Sequence, residues 1–123
     1  MKPEISKKVE EIALELVSQK SVVDTPDEIK MADKMYSVIS KLDYFKEHPD
    51  NLYFVDCKDD IIGRKIVVAE LNGEKGNSKD TVVAIGHMDT VGISDYGPLE
   101  EYATKPKELV KVFGKLKLPP EAR

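Results

Sequence analysis

His87 and Asp89 flank a single methionine in Gly86-His87-Met88-Asp89-Thr90-Val91, where the residue types could do chemistry. On extended backbone, residues two apart point to the same side, so the imidazole and the carboxylate face one way while Met88 turns toward a core. An imidazole that binds a metal through one ring nitrogen gains from a carboxylate on the other. The carboxylate fixes the tautomer and makes the ring a better donor. Gly86 removes a side chain where another group could approach closely. A plainer reading stays open, because His-x-Asp is a short pattern and a histidine after a strand is more often packed or hydrogen-bonded. The second histidine, His48, precedes Pro49 in a polar stretch and reads as surface.

A strand must carry that pair. Thr81-Val82-Val83-Ala84-Ile85-Gly86 is apolar almost throughout, the pattern of a strand buried on both faces. Open α/β sheets place ligands beyond the carboxyl ends of their strands, where His87 and Asp89 would then lie. The reading therefore makes 81–86 the central strand. Before it, 51–57 and 62–72 are aromatic or β-branched, are separated by Lys58-Asp59-Asp60, and close at Asn72-Gly73, which predicts a hairpin.

Helices must flank the sheet. Ile5, Val9, Ile12, Ala13, Leu16 and Val17 recur at helical spacing and predict a helix over 5–18. Thr25-Pro26-Asp27-Glu28 offers a capping hydroxyl, a first-turn proline and a glutamate placed to return the capping bond, opening a helix over 26–42. After Gly86 the chain reads as loop through Asp95-Tyr96-Gly97-Pro98. A last helix starts at Pro106 with Leu109, Val112, Phe113 and Leu116 on one side, to be ended by Gly114 or by Pro119-Pro120. The sum is an α/β fold, a mixed sheet with helices packed on it, in a single domain over 1–123.

Composition excludes several classes. Hydrophobic residues are 41% and charged residues 34%, too apolar for a disordered chain. Nineteen Lys and Arg against 23 Asp and Glu leave a charge of −4, the wrong sign for a dedicated nucleic-acid binder. Lys105, Lys107, Lys111, Lys115 and Lys117 are spaced as a solvated helix face. No apolar run reaches membrane-span length, and Met1-Lys2-Pro3-Glu4 lacks the apolar stretch of a secretory signal. The single Cys57 excludes an internal disulfide framework and a cysteine-based zinc site. The expectation is a cytoplasmic chain. Gly73-Glu74-Lys75-Gly76 lacks the Lys-Ser/Thr helix start of a phosphate-cradling loop.

The strand followed by Gly86-His87-Met88-Asp89-Thr90-Val91 resembles the first metal motif of the zinc-dependent metallopeptidase and aminoacylase family, family twenty of the metallopeptidases. The flanks agree, in the helix ending Leu16-Val17-Ser18-Gln19-Lys20-Ser21-Val22 and in the acidic helix start at Thr25 to Glu28. The continuation Gly92-Ile93-Ser94-Asp95-Tyr96-Gly97 is similar to the arginine-utilisation (arginine degradation) branch. Gly92 stands where the family more often has proline, a departure that bears on substrate subclass. The resemblance implies that His87 ligates one zinc and that Asp89 serves catalysis by orienting His87. It implies two zinc ions in the complete enzyme, and a small peptide or acyl-amino acid as substrate.

The family's bridging aspartate, glutamate pair and later ligands have no counterparts here. Asp95, Glu100 and Glu101 read as solvated loop. A catalytic zinc takes three protein ligands and water, and a two-metal site takes more. The expectation is therefore an amino-terminal part of a larger metal-dependent amide-bond hydrolase, truncated or split, inactive alone and binding zinc weakly. The alternative is a non-enzymatic small α/β interaction module or a partner-completed subunit. Association into a homo-oligomer stays open.

Overall fold

The computed structural model describes residues 2–76 and 78–116. Two compact units emerge, Ser21–Thr90 and the segments on either side of it.

In the 21–90 unit, helix α2 (Asp27–Ile39) is followed by the short helix α3 (Asp43–Glu47), a 3-10 turn (Pro49–Asn51) and strands β1 (Leu52–Asp56) and β2 (Lys65–Ala69). The strands pair antiparallel, with Leu52 opposite Ala69, Phe54 opposite Val67 and Asp56 opposite Lys65. Alternation along β1 turns Leu52 and Phe54 toward α2. Tyr36 stacks on Phe54 with ring centroids 4.7 Å apart. Lys65 lies over the same ring at 4.7 Å and pairs with Asp33 at 3.5 Å. Met31, Ala32, Val38, Phe45 and Leu52 form the buried core. The Tyr44 hydroxyl accepts from the Asn51 side-chain amide at 3.0 Å and from the Asn72 backbone N–H at 2.9 Å, fastening α3 to both ends of the hairpin.

Helix α2 opens close to expectation. The Thr25 hydroxyl accepts from the Asp27 N–H at 3.3 Å, while Glu28 reaches back one residue further than foreseen, to the Asp24 N–H at 2.6 Å. The helix stops at Ile39, and Leu42 adopts extended geometry before α3 begins. The stripe that suggested one helix to 42 thus spans two elements.

The flanking unit contains helix α1 (Pro3–Val17), 3-10 turns over Ser94–Tyr102 and helix α4 (Pro106–Phe113). Pro3 and Pro106 stand at the helix starts, where the missing N–H costs nothing. Gly114 follows α4 directly, as its position suggested. Lys117 and the Pro119-Pro120 stop lie outside the described residues. The stretch expected as loop around Asp95–Pro98 is instead helical turns broken at Gly97, whose φ of +51° favours glycine. No described side chain of this unit is fully buried. Among the described residues, no helix is long and apolar enough to cross a membrane.

The α/β class holds, as helices packed against a sheet. The central strand does not. Residues 81–86 form no strand, and Val82, Val83 and Ile85 are 95%, 73% and 92% exposed. Among the described residues the sheet is the antiparallel β1–β2 pair rather than a mixed one, and parallel pairing is limited to one isolated bridge between Val22 and Thr90. The physical reason is cover. A strand apolar on both faces needs neighbours at its edges and layers above and below, and this unit supplies one hairpin and one helical layer. The open face of the hairpin tells the same story, with Tyr53, Val55 and Ile66 exposed opposite the α2 side.

Candidate functional site

The segment 87–90 is held by residues just before α2. The Ser21 hydroxyl donates to the Met88 carbonyl at 2.6 Å. The Thr90 N–H donates to the Ser21 carbonyl at 2.7 Å, and the Val23 N–H donates to the Thr90 carbonyl at 2.9 Å. The Thr90 hydroxyl adds a bond to the Ser21 carbonyl at 3.2 Å. Ser21 is 1% exposed, which makes these bonds costly to leave unmade.

The 21–28 stretch is anchored in turn. The Thr25 hydroxyl donates to the Val22 carbonyl at 2.6 Å. Asp24 takes a positive φ of 58°, a conformation that aspartate tolerates better than most residues. Arg64, from the hairpin loop, reaches Asp24 at 3.4 Å and Glu28 at 3.6 Å. It also forks onto Asp60, whose carboxyl is held down at about 2 by the bonds that Arg64 donates, from its side chain first and its backbone N–H second. The same partner pushes the Arg64 guanidinium further up, so it stays charged.

On this footing the structure brings His87 and Asp89 together. His87 Nδ1 lies 2.9 Å from the Asp89 main-chain carbonyl and 3.4 Å from its carboxylate Oδ1. The carbonyl makes the shorter contact, and not the carboxylate that the sequence points to. Both oxygens accept, so the neutral ring carries its hydrogen on Nδ1 and presents an unshared pair on Nε2. The His87 side chain is 82% exposed, and Met88 between the pair is half-buried. Nε2 is therefore open to a metal ion.

One imidazole nitrogen fits one position of a metal site. Among the described residues no group of three or more His, Cys, Asp or Glu side chains is placed to hold a metal ion. Asp95, Glu100 and Glu101 are exposed on the 3-10 turns, and His48 is exposed beside Tyr44, ring centroids 4.6 Å apart. Ser21 and Thr90 were the residues that sequence reasoning about chemistry passed over. Ser21 lies just past the end of the first helix, but neither its type nor its spacing signals a bond to a carbonyl 67 positions away.

The chain is similar to Protein RocB of Bacillus subtilis strain 168, 36% identical over 110 residues, which is 89% of this chain and 19% of that protein. It is likewise similar to the uncharacterized protein YqjN of the same organism, 35% identical over 98 residues, 80% of this chain and 17% of that protein. The chain spans about a fifth of the length of the curated relatives it matches. No family model and no solved structure matches it.

Proposed function

We propose that this chain carries the first metal motif of a zinc-dependent amide-bond hydrolase, of peptidase or N-acyl-amino-acid deacylase type, serving arginine degradation. The observation that carries the reading is the His87–Asp89 contact, which leaves Nε2 with its unshared pair in solvent. Zinc, when bound, would supply Lewis-acid polarisation of a carbonyl and an activated water. His87 would hold one ion, and Asp89 would orient His87. The other ligands and the general base would come from outside this chain, which alone would be inactive.

Two further observations support this. The exposed Val82, Val83 and Ile85 present an apolar ribbon of the kind a larger sheet covers. The similarity to RocB extends over most of this chain while covering a fifth of that protein. The arginine assignment rests on the resemblance of Gly92 to Gly97, and cytoplasmic residence on composition.

The test is zinc titration calorimetry of the 123-residue chain, with and without His87→Ala. Weak binding is expected. Tight, His87-dependent binding would mean a self-contained metal site and would end the partial-hydrolase reading.

The exposed ribbon also favours a second reading, an interaction module without catalysis. Light scattering separates the two. A chain that stays monomeric on concentration counts against the module.

A further inference from the structure

We infer that Ser21 is the positioning residue that sets the tautomer of His87, a step that rests on the metal-ligand reading of His87 given above. Ser21 grips both peptide groups that flank the Asp89 α-carbon. Its hydroxyl takes the carbonyl of the Met88–Asp89 peptide at 2.6 Å. Its own carbonyl takes the N–H of the Asp89–Thr90 peptide at 2.7 Å.

The second bond has a geometric consequence. The Asp89–Thr90 peptide is trans, as are all peptide bonds among the described residues, so its C=O and N–H point in opposite directions. With its N–H aimed at Ser21, that peptide must aim the Asp89 carbonyl away from Ser21. His87 Nδ1 meets it there at 2.9 Å. The first bond stops the preceding peptide from turning and releasing this arrangement. Because the Ser21 side chain is shut off from solvent, at 1% exposure, water does not stand in for the lost hydroxyl without rearrangement. Ser21 thus acts on the metal-binding nitrogen without touching it. Its backbone bond to Thr90 aims the acceptor, and its hydroxyl locks the aim.

The experiment uses the metal-free 123-residue chain, with long-range nitrogen–proton NMR spectra of both histidine rings at a pH where they are neutral. In the native chain His87 is expected to be protonated on Nδ1. A native His87 protonated mainly on Nε2, as a free imidazole side chain prefers, overturns the proposal before any variant is made. In Ser21→Ala the ratio of the two neutral tautomers is expected to move about five-fold toward the free ring, the change for losing the His87 Nδ1 bond to the Asp89 carbonyl once the hydroxyl no longer locks that carbonyl in place. His48 serves as the internal reference and should not move. Ser21→Cys, which nearly keeps the side-chain volume, should repeat the shift. An unchanged His87 ratio in a folded variant refutes the assignment, and so does loss of the hairpin amide signals in both variants, which would give Ser21 a role in folding at large. No zinc enters the experiment, so its outcome stands apart from that of the calorimetry.

Discussion

Arg64 binds Asp60 through its backbone as well as its side chain. The Arg64 N–H donates to one carboxylate oxygen at 2.8 Å, and the guanidinium Nε donates to the other at 2.9 Å. Those bonds outweigh the burial that would raise the carboxyl, and its pKa falls to about 2. A carboxyl depressed on folding adds stability above its unfolded pKa, about 3.9, and that stability is lost as the pH falls toward the folded value. Hairpin stability should therefore decline between roughly pH 4 and pH 2. In Arg64→Met the Asp60 carboxyl should titrate upward, toward the ordinary range, and this part of the acid transition should flatten. Carbon NMR of the Asp60 carboxyl reads both, and an unmoved midpoint in the variant would dissolve the link.

Burial separates two apolar side chains of the 21–90 unit. Phe45 is 6% exposed and Ile61 is 99% exposed. Phe45→Ala should cost about 3–5 kcal/mol, a large share of the stability of a small domain. Ile61→Ala should stay within about 0.5 kcal/mol of the native chain. Urea unfolding followed by far-ultraviolet dichroism measures both, and equal costs would contradict the core as described.

The open ribbon makes a sharper demand. Val83→Lys with Ile85→Lys should change the unfolding free energy of the short chain by less than about 1 kcal/mol, because exposed positions tolerate polar substitution. Had these residues been a central strand, burying two charges would prevent folding. Urea unfolding of the double variant decides, and a failure to fold would restore the central strand.

The same ribbon shows what the sequence could and could not disclose. Helices α1, α2 and α4 were legible because stripes, first-turn prolines and Gly114 act within a few residues. The hairpin was legible from its β-branched runs, although β2 begins at Lys65 because the Arg64 clamp on Asp60 claims the preceding turn. Residues 81–86 misled because apolar continuity reports a demand for cover and says nothing of whether the cover is present. The nearness of His87 and Asp89 was legible because they are two residues apart, but the shorter contact to the main-chain carbonyl was not. Nor was its support from Ser21, since that bond is made by the fold.

Asp89 should act through His87. Because the main-chain carbonyl makes the shorter contact, Asp89→Asn should leave the His87 tautomer of the short chain unchanged. The carboxylate charge should matter once a metal polarises the ring: at the full length of the relatives, losing that charge 3.4 Å from Nδ1 should lower zinc affinity or rate by about 10–100-fold. A tautomer change in the short chain would shift the orienting role from the carbonyl to the carboxylate.

The most direct measurement joins metal content to reaction in a polypeptide carrying this sequence at the relatives' full length. Zinc is counted by atomic absorption, and hydrolysis of N-acyl-amino acids and dipeptides is followed with His87 and with His87→Ala. The expected result is two zinc ions and measurable amide hydrolysis in the native protein, with zinc lost and hydrolysis falling to background in the variant. Full zinc content and undiminished hydrolysis in His87→Ala, or no hydrolysis by the zinc-loaded native protein, would contradict the metal-dependent reading of this motif.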